Sequence, residues 1–416
     1  MSETSRESRQ NLNVLLLVDF LPDPAHPDPW LKNKNIFVHR QVLKVAGGSP
    51  MACPVLIPFL PGLVQAFYRT RGLSVKFPKP RSGNDGGITF HTVRYNHLPR
   101  KYIQSKTSAL LNFVHKSEQE FDLIHCHTLF DLGVCALELK KQLKIPLVVT
   151  AYGTDINWLF ETDPARRASP EIDRATREVL RGADAAIGVS RDLCGKMEQL
   201  EVDPGKINWV PNGVDRELFG PGNKAAEREK LGWEQDKKTI LYVGNIIETK
   251  GLGELVDAVS LLEKKGAAGN VRVKLAGPDG GYKQEMLGKI TAKNLGKKFE
   301  FLGRVDHDQI AQLMRAADIF CLPSWREGWP NVVIEALACG TPVVATTVGG
   351  ISEIITDPEI GLLVPRKKAQ TLAVALENAL EKDWDTGKVT EAAEPYYYDG
   401  IAETIEEIYY SIAKTS

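Results

Sequence analysis

The chain has 416 residues, more than one hydrophobic core usually serves, so two domains are the starting expectation. Hydrophobic residues make up 43% and charged residues 25%, the balance of a globular protein, and no apolar run reaches the ~18 residues that a membrane-spanning helix needs. With 52 basic against 53 acidic side chains the net charge is −1, which argues against a chain that binds nucleic acid through its overall charge.

The polar start, MSETSRESRQNLN, leads straight into an apolar run and is expected to be a short tail, not a signal peptide. Asn13 to Asp19 (NVLLLVD) is a continuous apolar run of strand length, the usual opening of a parallel sheet. The proline-rich loop after it should be irregular, followed by a helix from about Ile36 to Val45. Cys53 to Leu60 and Ile88 to Tyr95 look like strands, and Tyr102 to Lys116 like a helix. From Lys32 to Lys116 there are fourteen Lys or Arg and one acid, Asp85. Two readings stay open for that surplus: a solvated face, or a surface that docks on anionic lipid or grips an anionic acceptor.

Asp122 to His127 (DLIHCH), a helix from about Leu129 to Leu143 and the strand Pro146 to Thr150 read as one βαβ unit. His125 and His127 alternate on their strand, but no third ligand is spaced to help them, so a hydrogen-bonded place at the strand end is expected over a metal site. A helix near Pro170 to Arg181, strands at Asp184 to Val189 and Ile207 to Val210, and a charged, Gly- and Pro-rich stretch from about Gly220 to Asp236, read as a linker, complete the first half. The same alternation restarts with the strand Thr239 to Val243, the turn Gly244-Asn245 and a helix from near Gly251, with strands at Val271 to Ala276 and Phe299 to Leu302 following. An apolar pattern at Ile401, Ile405, Ile408 and Tyr409 marks an amphipathic helix over about Asp399 to Ala413. The six cysteines include no CxxC pair and lie in mostly apolar surroundings, so they read as buried thiols of a reducing cytoplasm. Asp306-His307-Asp308 and Asp383-Trp384-Asp385 could suggest a metal; the first fits a helix cap and the second a helix end, so no metal is expected.

The most informative stretch is Pro323 to Thr347. Between Asn331 and Thr347 Glu335 is the one charged residue, in the second turn of a helix that is otherwise apolar all round. A carboxylate there needs a partner. It is either a salt-bridged structural acid or an acid that faces a ligand hydroxyl, with Glu327 on the loop above the same helix start; the second reading is preferred, because open α/β sheets bind ligands at their strands' carboxyl ends. Trp329-Pro330-Asn331 opens the helix, with Asn331 as the expected cap.

Glu327-Gly328-Trp329-Pro330-Asn331 through Glu335-Ala336 resembles the E-x7-E signature of retaining, nucleotide-sugar-dependent glycosyltransferases of family 4, and similarity elsewhere covers most of the chain. The resemblance implies the GT-B fold: two Rossmann-like doubly wound parallel-sheet α/β domains facing across a cleft. Residues 1–220 would bind the acceptor, residues 221–398 the nucleotide sugar, and a helix in 399–416 would return to the first domain. It further implies a donor site from Gly244, Asn245 and Lys250 on one loop, Arg304 against the base, and Glu327, Gly328, Trp329, Pro330, Asn331 and Glu335. Lys250 would stabilise the diphosphate, Glu327 would orient the sugar hydroxyls and Glu335 would accept from ribose. Tyr152 and Asp155 would stand in the first domain's catalytic motif, with His127 and Asn212 on the acceptor side.

Three departures from the family pattern stand out. Tyr152-Gly153-Thr154-Asp155 replaces a histidine-glycine-x-Asp motif, and a tyrosine positions better than it abstracts protons at neutral pH. Asn245 replaces an arginine, which shifts diphosphate stabilisation onto Lys250, and Asn33, Lys34 and Asn35 stand where glycines are usual. The expected activity is sugar transfer to an acceptor hydroxyl, the acceptor being a sugar or a lipid-linked sugar of bacterial polysaccharide or glycolipid synthesis, with no cofactor beyond the donor itself. The enzyme would work in the cytoplasm, including at the membrane's inner face. A sugar-nucleotide epimerase of the same shape and a non-catalytic sugar-nucleotide sensor are the two rival readings.

Overall fold

A computed structural model describes residues 11–18, 36–59, 82–97, 101–162, 164–165, 167–266 and 269–413. The polar tail through residue 10, the proline-rich loop of residues 19–35 and the 60–81 part of the basic stretch lie outside them. The described residues form two compact units. Unit 1 takes in those up to Pro211 and those from Asp399 onward; unit 2 is Asn212–Tyr398.

Unit 1 holds β1 (Val14–Leu17), β2 (Met51–Phe59), β3 (Gly83–Asp85), β4 (Ile88–Asn96), β5 (Leu123–Cys126), β6 (Leu147–Ala151), β7 (Ala185–Gly188) and β8 (Ile207–Trp209). They make one sheet in the order β3-β4-β2-β1-β5-β6-β7-β8. All pairs are parallel except β3 with β4, a short antiparallel hairpin through Gly86 and Gly87 that the sequence pattern did not announce. β1, β5 and β6 are buried along their whole length, as strands covered on both faces should be. The helix Tyr398–Ala413 belongs to this unit from Asp399 on, and Ile401, Ile405, Ile408 and Tyr409 join the same buried cluster as Val14, Leu16, Met51 and Phe90.

Unit 2 holds β9 (Lys238–Val243), β10 (Val271–Ala276), β11 (Phe299–Gly303), β12 (Ile319–Leu322), β13 (Val343–Thr346) and β14 (Gly361–Val364), all parallel, in the order β11-β10-β9-β12-β13-β14. Chain order reverses between β9 and β12, and the carboxyl ends of the strands at such a reversal are the usual ligand position in open α/β sheets. The corresponding reversal in unit 1 lies between β1 and β5, whose pairing ends with the His127 N–H donating to Leu17 O at 2.9 Å.

One expectation needs correcting. The stretch 220–236, read as a linker, carries a helix, Lys224–Leu231, capped by Asn223. Its charge is not all solvated: Arg228, 4% exposed, donates to the carbonyls of Ala316, Gln235 and Lys237 and pairs with Asp318 at 2.5 Å. Composition alone could not reveal that this arginine stitches the start of unit 2 to the end of a distant helix.

Candidate functional site

Two loops meet at the strand-order reversal of unit 2. After β9 the chain turns at Gly244 (φ 152) and Asn245, passes through a short 3-10 turn, Glu248–Lys250, and enters the helix Leu252–Lys264 through Gly251 (φ 67). After β12 it runs through Pro323 to Pro330 into the helix Asn331–Ala338. A side chain at Gly251 would put its Cβ 1.9 Å from Pro323 O. Glycine is therefore required there because the two loops touch, whatever it also does for an anion. The Tyr242 phenol donates to Asn245 O at 2.8 Å and fixes the first turn; burial and the nearby Glu327 carboxylate push its pKa up, so it stays protonated.

Lys250 Nζ lies 2.6 Å from Glu327 Oε1, and Ser324 Oγ donates to the same oxygen at 2.6 Å. Ser324 is fully buried, and its carbonyl accepts from Thr346 Oγ1 at 2.5 Å, so β13 braces the loop. Glu327 Oε2 makes no hydrogen bond among the described residues. The expected lysine and acid, 77 positions apart, are thus in direct contact. The far side of the loop is locked by Gly350 N–H donating to Gly328 O at 2.9 Å, and Gly349 (φ 52) would bring a Cβ 2.1 Å from Glu327 O. Trp329 is 7% exposed, with its ring 5.5 Å from that of Tyr396.

Glu335 is 6% exposed. Its Oε1 lies 3.2 Å from His307 Nε2, while its Oε2 and His307 Nδ1 are buried without a partner among the described residues. The structure thus gives the acid a partner and leaves half of it unsatisfied. His307 is a residue that sequence reasoning passed over with the Asp306-His307-Asp308 triplet, where Asp306 does cap its helix in a capping box with Gln309. Arg304 is exposed just past β11. Asn331 is not the cap: it is the first helical residue, behind Pro330, and no side chain caps the helix start, where the Val333 N–H donates to Pro330 O at 2.9 Å. Asn212, expected on the acceptor side, lies in unit 2 and donates through Nδ2 to Asn331 Oδ1 at 3.1 Å.

In unit 1 the strand-end histidines form a buried polar row. His125 contacts Tyr409 Oη through Nδ1 (2.5 Å) and Thr150 Oγ1 through Nε2 (2.8 Å), and its ring lies 4.0 Å from that of His127. His127 Nδ1 is 2.6 Å from Tyr152 Oη, and its Nε2 is buried without a partner among the described residues. Burial pulls the His127 pKa down to about 3, so the ring is neutral. Asp155, half-buried, accepts from Gly153 N–H at 3.1 Å, and desolvation raises its pKa to about 6 against those backbone bonds. Among the described residues no three His, Cys, Asp or Glu side chains gather as a metal site.

Comparison with known proteins decides the family. Residues 223–395 match the model of glycosyl transferases group 1, and residues 61–218 that of glycosyltransferase family 4. A D-inositol 3-phosphate glycosyltransferase of Arthrobacter sp. (strain FB24) is 32% identical over 74% of this chain and 76% of its own length. The chain belongs to glycosyltransferase family 4. A putative teichuronic acid biosynthesis glycosyltransferase of Bacillus subtilis is 29% identical to this glycosyltransferase over 85% of this chain and 86% of its own. The fold is GT-B: HepE of Anabaena, solved with UDP, superposes with a TM-score of 0.70 at 19% identity, over 97% of this chain and all of its own. No helix of the described residues in this family 4 enzyme is long and apolar enough to cross a membrane.

Proposed function

We propose that this glycosyltransferase moves a sugar from a nucleoside diphosphate sugar to an acceptor hydroxyl with retention at the anomeric carbon, in the assembly of a polysaccharide or glycolipid. The observation that carries the reading is the Lys250–Glu327–Ser324 contact at the strand-order reversal of unit 2. The names of the relatives, one acting on an inositol phosphate and one in teichuronic acid synthesis, and the UDP held by a fold neighbour, support it.

Breaking the anomeric bond leaves a diphosphate of growing negative charge beside an oxocarbenium-like sugar, so fixed positive potential must await the leaving group. Lys250 has three N–H donors; one holds Glu327 and the others are available to phosphate oxygens. The uncapped start of the helix Asn331–Ala338 adds its dipole. Glu327 Oε2 would read sugar hydroxyls, Glu335 the ribose, and Arg304 would lie along the base. The acceptor hydroxyl bonds to the anomeric carbon on the face that the diphosphate leaves, and its proton passes to the leaving phosphate oxygen. No step asks for a metal, because the lysine and the helix start supply the charge. In unit 1, Tyr152 and neutral His127 would orient hydroxyls, and Asp155 would hold the turn that presents them.

Thermal-shift measurement with UDP, GDP, ADP and TDP tests the donor: one of them should raise the melting temperature. Lys250→Ala should then cut turnover of the matching sugar nucleotide by about 10²-fold or more. No shift with any nucleotide, or full turnover without Lys250, would sink the proposal. Turnover of donor alone to an epimerised sugar would favour the epimerase, and binding without turnover across acceptors the sensor. A lipid-linked acceptor predicts co-flotation with phosphatidylglycerol vesicles, through the basic stretch 32–116, that fades as salt rises.

A further inference from the structure

Trp325 stands two residues before Glu327 and is held on four sides. Its backbone N–H donates to Thr249 O at 2.9 Å, and its indole N–H donates to Glu254 Oε1 at 3.1 Å. Its carbonyl accepts from Arg366 Nη1 at 3.0 Å, and the Lys367 ammonium lies 3.9 Å from the ring centroid. Thr249 precedes Lys250 in its 3-10 turn and Glu254 lies in the first turn of the helix that follows, so the first bond ties the Trp325 backbone to the lysine's own turn and the second ties the indole to the next helix. The other two tie Trp325 to the turn that follows β14.

That second turn is odd in one respect. Lys367 has φ 59, a left-handed conformation that a glycine enters freely and a lysine only at a cost. Arg366, Lys367 and Lys368 are all exposed, so burial does not explain why a lysine is kept there. The contact observed from that position is the ammonium over the indole. Local strain of this kind is expected where the surroundings must fix a geometry, and here the geometry fixed is that of the loop bearing Glu327.

We infer that the Arg366–Lys367 turn is a clamp on Trp325, and that through Trp325 it sets the spacing of the Lys250–Glu327 pair for an anionic donor. Both are positioning residues: they act on the indole, and the indole on the loop. The clamp rests on the donor-site reading above, and its test keeps the two apart.

The experiment compares Lys367→Gly, Lys367→Arg and Lys250→Ala in the full chain. It reads melting temperature, the dissociation constant of whichever nucleoside diphosphate shifts the parent, donor KM and kcat, and the tryptophan emission that Trp325→Phe removes. Lys367→Gly relieves the backbone while deleting the cation, so the melting temperature should hold or rise, the Trp325 emission should change, and donor KM and the dissociation constant should rise about 2–5-fold with kcat less affected. Lys367→Arg keeps a cation over the ring and should restore the parent's KM. A turn with a merely structural role would move stability and leave KM alone. Lys367→Gly matching the parent in KM and in Trp325 emission overturns the clamp. If Lys250→Ala is disabled while Lys367→Gly is silent, only the clamp falls; if Lys250→Ala is silent too, or the parent binds no nucleoside diphosphate, the donor site falls and the clamp with it.

Discussion

Glu335 buries a carboxylate with one oxygen on His307 Nε2 and the other on nothing among the described residues. Leaving such an acceptor unsatisfied costs about 1–3 kcal/mol, which a ligand hydroxyl could recover. Glu335→Gln should therefore weaken nucleotide binding by about tenfold, measured by calorimetry, while leaving the unliganded melting temperature equal or higher, because the amide carries no buried charge. Asp155 makes a second case. Its folded pKa of about 6 exceeds the ordinary 3.8, so between those values the folded form keeps a proton that the unfolded form has lost. Stability then falls as pH rises through that window, and the penalty stands in full above it. Asp155→Asn, which can still accept from Gly153 N–H, should melt higher than the parent at pH 7 and converge with it toward pH 4. The gain should fall short of about 3 kcal/mol, since the side chain keeps some contact with water.

Elements explain why some of this was legible in the sequence and some was not. β1, β9, β12 and β13 announce themselves as short apolar runs because both of their faces are covered, and the E-x7-E stretch is recognisable because the loop and helix that carry it are contiguous. Only the resemblance put Lys250 and Glu327 in one expected site, and their direct contact was not part of that expectation, since nothing local links residues 77 positions apart. His307 hid in a triplet that looked like a cap, and Arg228 in a stretch that read as a linker; in both cases the partner, Glu335 or Asp318, lies far along the chain. Gly251 is the sharpest instance: its requirement comes from Pro323 O, which no local pattern contains. Gly251→Ala should cost about 1–2 kcal/mol for the left-handed backbone alone. The clash with Pro323 adds to that, so nucleotide binding should be lost along with several degrees of melting temperature, both readable in one thermal-shift titration.

At the scale of the molecule, unit 1 takes part of its core from residues after unit 2. Ile401, Ile405, Ile408 and Tyr409 are each less than a tenth exposed against β-strands made near the start of the chain. Ile405→Ala should cost about 2–5 kcal/mol, and Tyr409→Phe, which strips His125 of a partner, about 1–2 kcal/mol. Both losses should appear in the melting of the unit that holds residues 34–211, followed by hydrogen exchange at β1 and β5, and not in nucleotide binding by unit 2. Translation proceeds in one direction, so the sheet made first waits for a wall made last. At ~5–20 residues per second, a ribosome leaves that greasy face bare for on the order of ten to forty seconds while unit 2 is being threaded. During that interval the nascent sheet offers chaperones a patch that the finished enzyme never shows.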